Sequence, residues 1–197
     1  MSEVTECRIE LLSKEEAQQA ATKVGISPMM AELNVFRALL HHPELAAALN
    51  APLTMLMGLG NVLAPRLREL IIMRIGWQTG SDYEWTQHWR VAKMFGIPET
   101  DLLAVRHWEK ADCFNQADRA VLQATDDILN DGKISGETWA QLEEVLGDTK
   151  QVLEVLIAIC NWRTFSQLLM SIQIPLEDGI ESWPPDGLVP EAAYEAI

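Results

Sequence analysis

Apolar residues recur along most of this chain with the spacing of an α-helix. In the segment that begins at Pro65, the positions Leu67, Leu70, Ile71 and Ile75 keep a period of about 3.6 residues and so share one helical face. No stretch alternates apolar and polar residues for long enough to predict a sheet. The pattern therefore predicts an all-α protein built as a helical bundle.

Capping residues and helix breakers set the expected limits of these helices. Ser13 and Glu16 form a capping-box pattern, Pro43 and Pro65 suit a first helical turn, and Gly96 suits a C-terminal cap. The expected helices are 13–25, 29–40, 43–57, 65–77, 81–95, 98–107, 117–129, 135–146 and 149–170. After Pro175 the chain is rich in Pro, Gly and acidic residues, so we expect one helical domain over 1–175 and an irregular tail over 176–197.

Composition and net charge argue against several classes of binding partner. The net charge of -14 argues against nucleic acid and anionic membrane surfaces, because nothing would offset the repulsion between like charges. The apolar run from Val152 to Ile159 is too short to span a bilayer, and the first residues lack the apolar core of a signal peptide. We therefore expect a cytoplasmic protein that binds neither nucleic acid nor membranes. The three cysteines are far apart and lack CxxC spacing, which predicts neither a metal site nor a redox dithiol.

The candidate chemistry lies between residues 69 and 88. Glu84 and His88 are four residues apart, so a helix places them one turn apart on the same face, and Glu69 would join them if consecutive helices pair. Carboxylates and an imidazole that are buried together suit proton transfer. Each also has a structural interpretation. Glu84 could accept a hydrogen bond from the backbone N–H of Ser81 in a capping box. Glu69 could complement the helix dipole, and His88 could be a hydrogen-bonded core residue. A metal site made of the three side chains is a minor alternative.

Neighbouring side chains are candidates for substrate contacts. The phenol of Tyr83 could donate a hydrogen bond to a developing enolate, with helix packing as the alternative. Trp77 and Trp85 could line an apolar pocket or belong to the core. Arg68 could bind a substrate carboxylate, with pairing to an acidic residue as the alternative. The same two interpretations apply to Arg74 and Arg90.

The residues Glu69, Tyr83-Glu84-Trp85-x-x-His88, Ala92 and Gly96 resemble the carboxymuconolactone decarboxylase family, which includes the alkylhydroperoxidase D-like proteins. The resemblance extends over about residues 30–177. It implies an alkylhydroperoxidase D-like helical bundle that assembles into trimers or hexamers, with each active site near a subunit boundary.

One departure from the family pattern bears on function. In the peroxidase branch a CxxCxxxH motif follows a glutamate, and alignment of its histidine with His88 puts Ser81 and Glu84 at the cysteine positions and Glu69 at the glutamate. Peroxide reduction needs a thiolate and a resolving thiol, so the resemblance implies proton transfer without thiol redox chemistry or a cofactor.

We therefore expect an acid–base enzyme, a decarboxylating lyase or an isomerase, that acts on a small carbonyl or lactone carboxylic acid. His88, Glu69, Glu84 and Tyr83 are its expected catalytic residues, and Trp85, Arg68, Trp77 and Ser81 are expected to contact substrate. The alternatives are a non-catalytic oligomeric scaffold or ligand-binding protein and a thiol peroxidase that uses Cys113 or Cys160.

Overall fold

The structure, a computed structural model, describes residues 7–58 and 60–194. In this part of the chain it contains α-helices and one 3-10 helix and no strand, which confirms the expected all-α class. The helices are α1 Lys14–Val24, α2 Pro28–Ala31, α3 Asn34–Leu39, α4 Pro43–Met57, α5 Pro65–Thr79, α6 Asp82–Met94, α7 Glu99–Ala104, the 3-10 helix Val105–Lys110, α8 Gln116–Asp131, α9 Gly136–Leu146, α10 Thr149–Ile172 and α11 Glu191–Tyr194.

The prediction of one continuous helix over 29–40 was wrong. Leu33 is extended, with φ -71° and ψ 137°, and it separates α2 from α3. The backbone N–H of Asn34 donates to Glu177 Oε1 at 3.0 Å, and its side-chain amide donates to the carbonyls of Pro175 and Leu176. Because these partners satisfy the first turn of α3 from outside, the chain can break at Leu33 without leaving buried donors unpaired.

The helix expected over 98–107 is also shorter than predicted. It ends as α7 at Ala104, and the 3-10 helix that follows contains His107 at φ -140° and ψ 50°. Elsewhere the breakers act as predicted: the capping box of Ser13 and Glu16 is present, and Gly96 adopts φ 75° after α6.

The described chain divides into two compact units. Within the described residues, the first comprises 7–58 with 168–180, and the second comprises 60–167 with 181–194. The first unit packs a small core around α1, α3 and α4, whose buried members include Ala17, Phe36, Leu40, Ala46 and Leu56. The second unit contains every residue of the candidate chemistry.

Helix α5 is the centre of the second unit. All ten residues from Leu67 to Gly76 are buried, so the helix has no solvent-facing side over that length. A Cβ built on Gly76 would lie 2.9 Å from the backbone nitrogen of Trp85, closer than real Cβ atoms come. The glycine therefore lets the backbones of α5 and α6 approach more closely than any other residue would.

Helix α10 is longer than the apolar run that the sequence suggested. By length and composition alone its 24 residues could cross a membrane, although 39% of its most apolar window is buried inside the protein. Two of its charged side chains are bonded within the second unit. Glu154 accepts from the N–H groups of Val62 and Leu63 at 2.9 and 2.7 Å. Arg163 Nη1 donates to the carbonyl of Ile128 at 2.6 Å. These bonds are those of a core helix.

The C-terminal segment is irregular up to α11, as the composition predicts, but residues 182–186 are bonded to the second unit of their own chain. The Trp183 N–H donates to Asp82 Oδ1 at 3.1 Å, and Trp85 Nε1 donates to the carbonyl of Pro184 at 2.8 Å. Arg106 binds the carboxylate of Asp186 with two parallel hydrogen bonds of 2.7 and 2.9 Å. The segment is thereby fastened to α6, the helix that carries Glu84 and His88.

Candidate acid–base site

Glu69 and His88 come together across the contact between α5 and α6. Oε2 of Glu69 lies 2.7 Å from Nδ1 of His88. The Glu69 side chain is fully buried, and that of His88 is 12% exposed. The carboxylate thus holds one ring nitrogen at a fixed distance, while a narrow edge of the ring remains in contact with solvent.

Arg68 binds the other oxygen of the same carboxylate. Its Nε donates to Glu69 Oε1 at 2.9 Å, and its guanidinium stacks over the ring of Phe95 at 5.0 Å from the centroid. Both charged side chains are almost fully buried, so the pair is a desolvated ion pair in which each partner stabilises the charge of the other. Glu69 is therefore fixed from two sides.

Glu84 lies on the second nitrogen of the imidazole. Its Oε2 is 3.6 Å from His88 Nε2, one helical turn away. Burial raises the pKa of Glu84, His88 lowers it and Glu69 raises it, and the net effect brings it to about 7. The Ser81 side chain makes no capping hydrogen bond to α6, so the capping-box interpretation of Ser81 and Glu84 was wrong.

The surroundings of His88 shift the pKa of its imidazole in opposite directions. Burial lowers the pKa of the imidazole, but the Glu69 carboxylate and its hydrogen bond raise it, as does Glu84, while Arg68 lowers it. The net effect raises the pKa of His88 above its usual value. Glu84 and His88 are thus two neighbouring titratable groups whose pKa values are both raised, and their titrations are coupled.

The sequence did not reveal a fourth member of this cluster, Trp162 on α10. Its Nε1 donates to His88 Nε2 at 3.1 Å, and the two rings stand perpendicular, with centroids 5.7 Å apart. An indole nitrogen can only donate, so Nε2 accepts here and the proton of the neutral imidazole lies on Nδ1, toward Glu69. The only sequence signal was a tryptophan between two polar residues, Asn161 and Arg163, in an apolar run.

The two tryptophans expected to contact substrate lie in an aromatic cluster with the C-terminal segment. Trp85 is fully buried and packs against Trp77 and Trp183 at centroid distances of 5.3 and 6.1 Å. The guanidinium of Arg106 lies over both Trp77 and Trp85, at 4.5 and 5.0 Å from their ring centroids. Because the Trp85 N–H already bonds to Pro184, this cluster holds the segment in place and does not form an open wall beside His88.

The remaining candidate residues differ in burial and in their hydrogen bonds. Tyr83 is buried at the first turn of α6, and the Ser81 hydroxyl is buried with no hydrogen-bond partner among the described residues. Arg74 is bound to Asp126 through two hydrogen bonds of 2.6 and 2.7 Å. Arg90 is exposed. Among the three arginines, the structure shows only Arg68 bonded to the carboxylate that holds His88.

Metal and thiol chemistry find little support in the described residues. Within 7–58 and 60–194, no group of three or more His, Cys, Asp or Glu side chains is arranged to hold a metal ion. Both imidazole nitrogens of His88 are engaged by protein groups. Cys113 and Cys160 are free and exposed, and the side chains bonded to His88 include neither of them.

A cavity of about 170 Å³ lies between α9 and α10. Its lining includes Trp139, Glu143 and Leu153 but none of the acid–base residues around His88.

Comparison with known proteins finds a family match over part of the chain. The model of the carboxymuconolactone decarboxylase family matches residues 43–127, which include Glu69, Glu84 and His88. No protein among curated sequences matches significantly.

Solved structures with the same fold share little sequence with this chain. A putative antioxidant defence protein AhpD of unknown function from Agrobacterium tumefaciens is 20% identical, with a TM-score of 0.62 over 70% of this chain and 94% of that one. An uncharacterised peroxidase-related protein from Ralstonia eutropha with an alkylhydroperoxidase AhpD core is 18% identical, with a TM-score of 0.69 over 87% and 93%. The debrominase Bmp8 in complex with 2,3,4-tribromopyrrole is 15% identical, with a TM-score of 0.72 over 88% and 94%. The chain thus matches the carboxymuconolactone decarboxylase family model over residues 43–127, and it shares the all-helical fold of these alkylhydroperoxidase D-like structures.

Proposed function

We propose that this chain is an acid–base enzyme that moves a proton at a carbon next to a carbonyl, in a small lactone or keto carboxylic acid. One observation carries the proposal: His88 lies between two buried carboxylates in different settings. Glu69 is paired with Arg68 and binds Nδ1, whereas Glu84 is 3.6 Å from Nε2 and has its pKa raised to about 7. Two titratable groups with unlike environments are the usual basis for a division into acid and base.

The roles follow from these contacts. Glu69 orients the imidazole and stabilises its positive charge when a proton arrives at Nε2, as a carboxylate does for a general base. Glu84 exchanges that proton with Nε2 at a site where its own carboxylate is buried and only an edge of the imidazole meets solvent. Arg68 holds Glu69 in place and contributes positive charge beside the carboxylate.

Decarboxylation fits this arrangement without a redox partner. The bond between the substrate carboxylate and the ring carbon breaks, CO2 leaves, and its electron pair moves into the neighbouring carbonyl as an enolate. Glu84 passes a proton to Nε2 of His88, and the enolate carbon takes that proton from the imidazole. Positioned acid–base groups contribute on the order of 10²–10⁴-fold to such a step. Isomerisation uses the same transfers without loss of CO2.

The alternatives differ in what they require of the cysteines and of His88. A thiol peroxidase would need Cys113 or Cys160, which are exposed and are not among the residues bonded to His88. A non-catalytic scaffold would not require a buried Glu84 with its pKa near neutrality, since perturbed titratable groups cluster at functional sites. Replacement of all three cysteines with serine tests the first alternative, because a thiol enzyme would lose its activity.

The proposal is tested with carboxymuconolactone and a panel of small lactone and keto carboxylic acids. CO2 release and deuterium incorporation from D2O are measured for the natural chain, for His88→Gln and for His107→Gln, an exposed histidine of the same unit. We expect at least a 10²-fold loss of rate in His88→Gln and no loss in the control. Turnover that survives in His88→Gln would remove the proposed base.

A further inference from the structure

Trp162 donates a hydrogen bond to Nε2 of His88, the ring nitrogen to which the proposed function assigns proton transfer. Its N–H points at Nε2 from 3.1 Å, and the indole is 1% exposed. The bond requires an unprotonated Nε2, because the indole nitrogen offers a hydrogen and has no lone pair to accept one. With Nδ1 bonded to Glu69 at 2.7 Å, the ring is held as one neutral tautomer.

Proton uptake at Nε2 is incompatible with this bond. Once Nε2 carries hydrogen, two N–H groups face each other at a distance that suits only a donor and an acceptor. Glu84 Oε2, at 3.6 Å from the same nitrogen, is the acceptor toward which the new N–H can turn. Protonation of His88 therefore has to displace the indole.

The charged groups that face His88 show why this contact matters. Burial opposes the charged imidazole, the carboxylates of Glu69, from α5, and of Glu84, from α6, favour it, and the Arg68 guanidinium opposes it. From α10, the Trp162 N–H adds a further opposing contribution because it stabilises the neutral form. Without the indole bond, two buried carboxylates would favour an imidazolium that cannot accept a proton.

We propose that Trp162 is a positioning residue that keeps Nε2 of His88 free to accept a proton, and that the substrate takes the place of its indole N–H. The substrate then presents an acidic N–H, an acidic O–H or a C–H next to a carbonyl to Nε2, because such a group would replace the bond that it displaces. The substrate half of this inference rests on the proposed function; the state of His88 does not.

Histidine NMR tests the first half without any substrate. In protein labelled with 15N at histidine, the natural chain should show His88 with hydrogen on Nδ1 alone above its titration midpoint. Trp162→Phe removes the donor and keeps an aromatic ring, and we expect the midpoint to rise by about one pH unit. Trp139→Phe, on α9 and 36% exposed, is the matched control and should leave the midpoint unchanged. An unchanged midpoint in Trp162→Phe would overturn the positioning role.

Added ring compounds test the second half. Trp162→Ala leaves space for a ring, and indole should bind there and return the His88 midpoint to its natural value. 1-Methylindole has almost the same shape and no N–H, so it should bind without restoring the midpoint. Equal restoration by both compounds, or no binding of either to a variant shown to be folded by circular dichroism, would overturn the exchange of indole for substrate. If Trp162→Ala does not fold, indole added to the natural chain should shift the Nε2 signal of His88, and an unchanged signal would overturn the exchange. Neither readout requires turnover, so these results stand apart from the outcome for His88→Gln.

Discussion

Glu69 and His88, nineteen positions apart on consecutive helices, are joined by a hydrogen bond of 2.7 Å that solvent does not reach from the carboxylate side. The bond ties the orientation of the imidazole to the Arg68–Glu69 ion pair behind it. Any change in that pair should therefore reach both the stability of the second unit and the protonation of His88.

Glu69→Gln should show both effects. The substitution leaves the Arg68 guanidinium buried without its counter-charge, and loss of one partner of a buried pair costs about 3 kcal/mol of unfolding free energy. The glutamine amide can donate to Nδ1, which would move the ring hydrogen to Nε2 and break the bond from Trp162. Urea denaturation and 15N histidine spectra measure the two consequences. Glu99→Gln, half-exposed and paired with Lys93, is the control and should change neither.

The raised pKa of Glu84 determines how its contribution to the free energy of unfolding changes with pH. Its proton is bound more tightly in the folded chain than in the unfolded one, so its contribution is complete below the unfolded pKa of 4.5 and is lost as pH rises to about 7. His88 acts in the same direction because its pKa is also raised. Between pH 5 and pH 8, the unfolding free energy of the natural chain should therefore fall by up to about 3 kcal/mol relative to that of Glu84→Gln.

Urea midpoints of both proteins across this range check the prediction. The variant carries a neutral amide at every pH, so it should be the more stable of the two at pH 8 and similar at pH 5. Parallel curves for the two proteins would mean that Glu84 titrates as an exposed carboxylate does.

The sequence predicted the convergence of Glu69, Glu84 and His88 because local rules govern it. A spacing of four on one helix and a short connection between two helices are properties of neighbouring residues. Their catalytic role stays a prediction. Trp162 could not be predicted, since it reaches His88 across 74 positions of sequence and only the packing of α10 brings it there.

The same reasoning explains the misassigned residues. Ser81 and Glu84 match a capping box by spacing, yet burial beside His88 holds the Glu84 side chain away from the helix start. The helix over 29–40 has suitable periodicity, yet Glu177, 143 positions away, bonds the N–H of Asn34 and begins a new helix there. In both cases a tertiary contact overrides a local pattern.

Gly76→Ala should disturb the contact that brings the acid–base residues together. The added methyl would lie 2.9 Å from the Trp85 backbone nitrogen and 3.2 Å from its Cα, where no flexible side chain can yield. Separation of α5 from α6 should cost about 1–3 kcal/mol of unfolding free energy. Gly136→Ala, which meets nothing within 4 Å, should leave the stability equal or slightly higher. Thermal unfolding of the two variants tests the difference, and equal melting temperatures would contradict the close approach.

Arg106→Gln should release the C-terminal segment from α6. The guanidinium makes two hydrogen bonds to Asp186 and stacks on Trp77 and Trp85, so its loss removes four contacts at once. The Arg106 hydrogen bond holds the pKa of Asp186 near 2, so the pairing should persist down to acidic pH and weaken only as pH falls toward that value.

Hydrogen exchange at the Trp85 indole N–H reports the attachment directly, because that N–H bonds to the segment through Pro184. Exchange should accelerate by about tenfold or more in the variant, since one charged bidentate contact contributes more than 1.4 kcal/mol. Arg90→Gln removes an exposed arginine and serves as the control. Equal exchange in both variants would mean that Trp183 and the backbone bonds hold the segment without the ion pair.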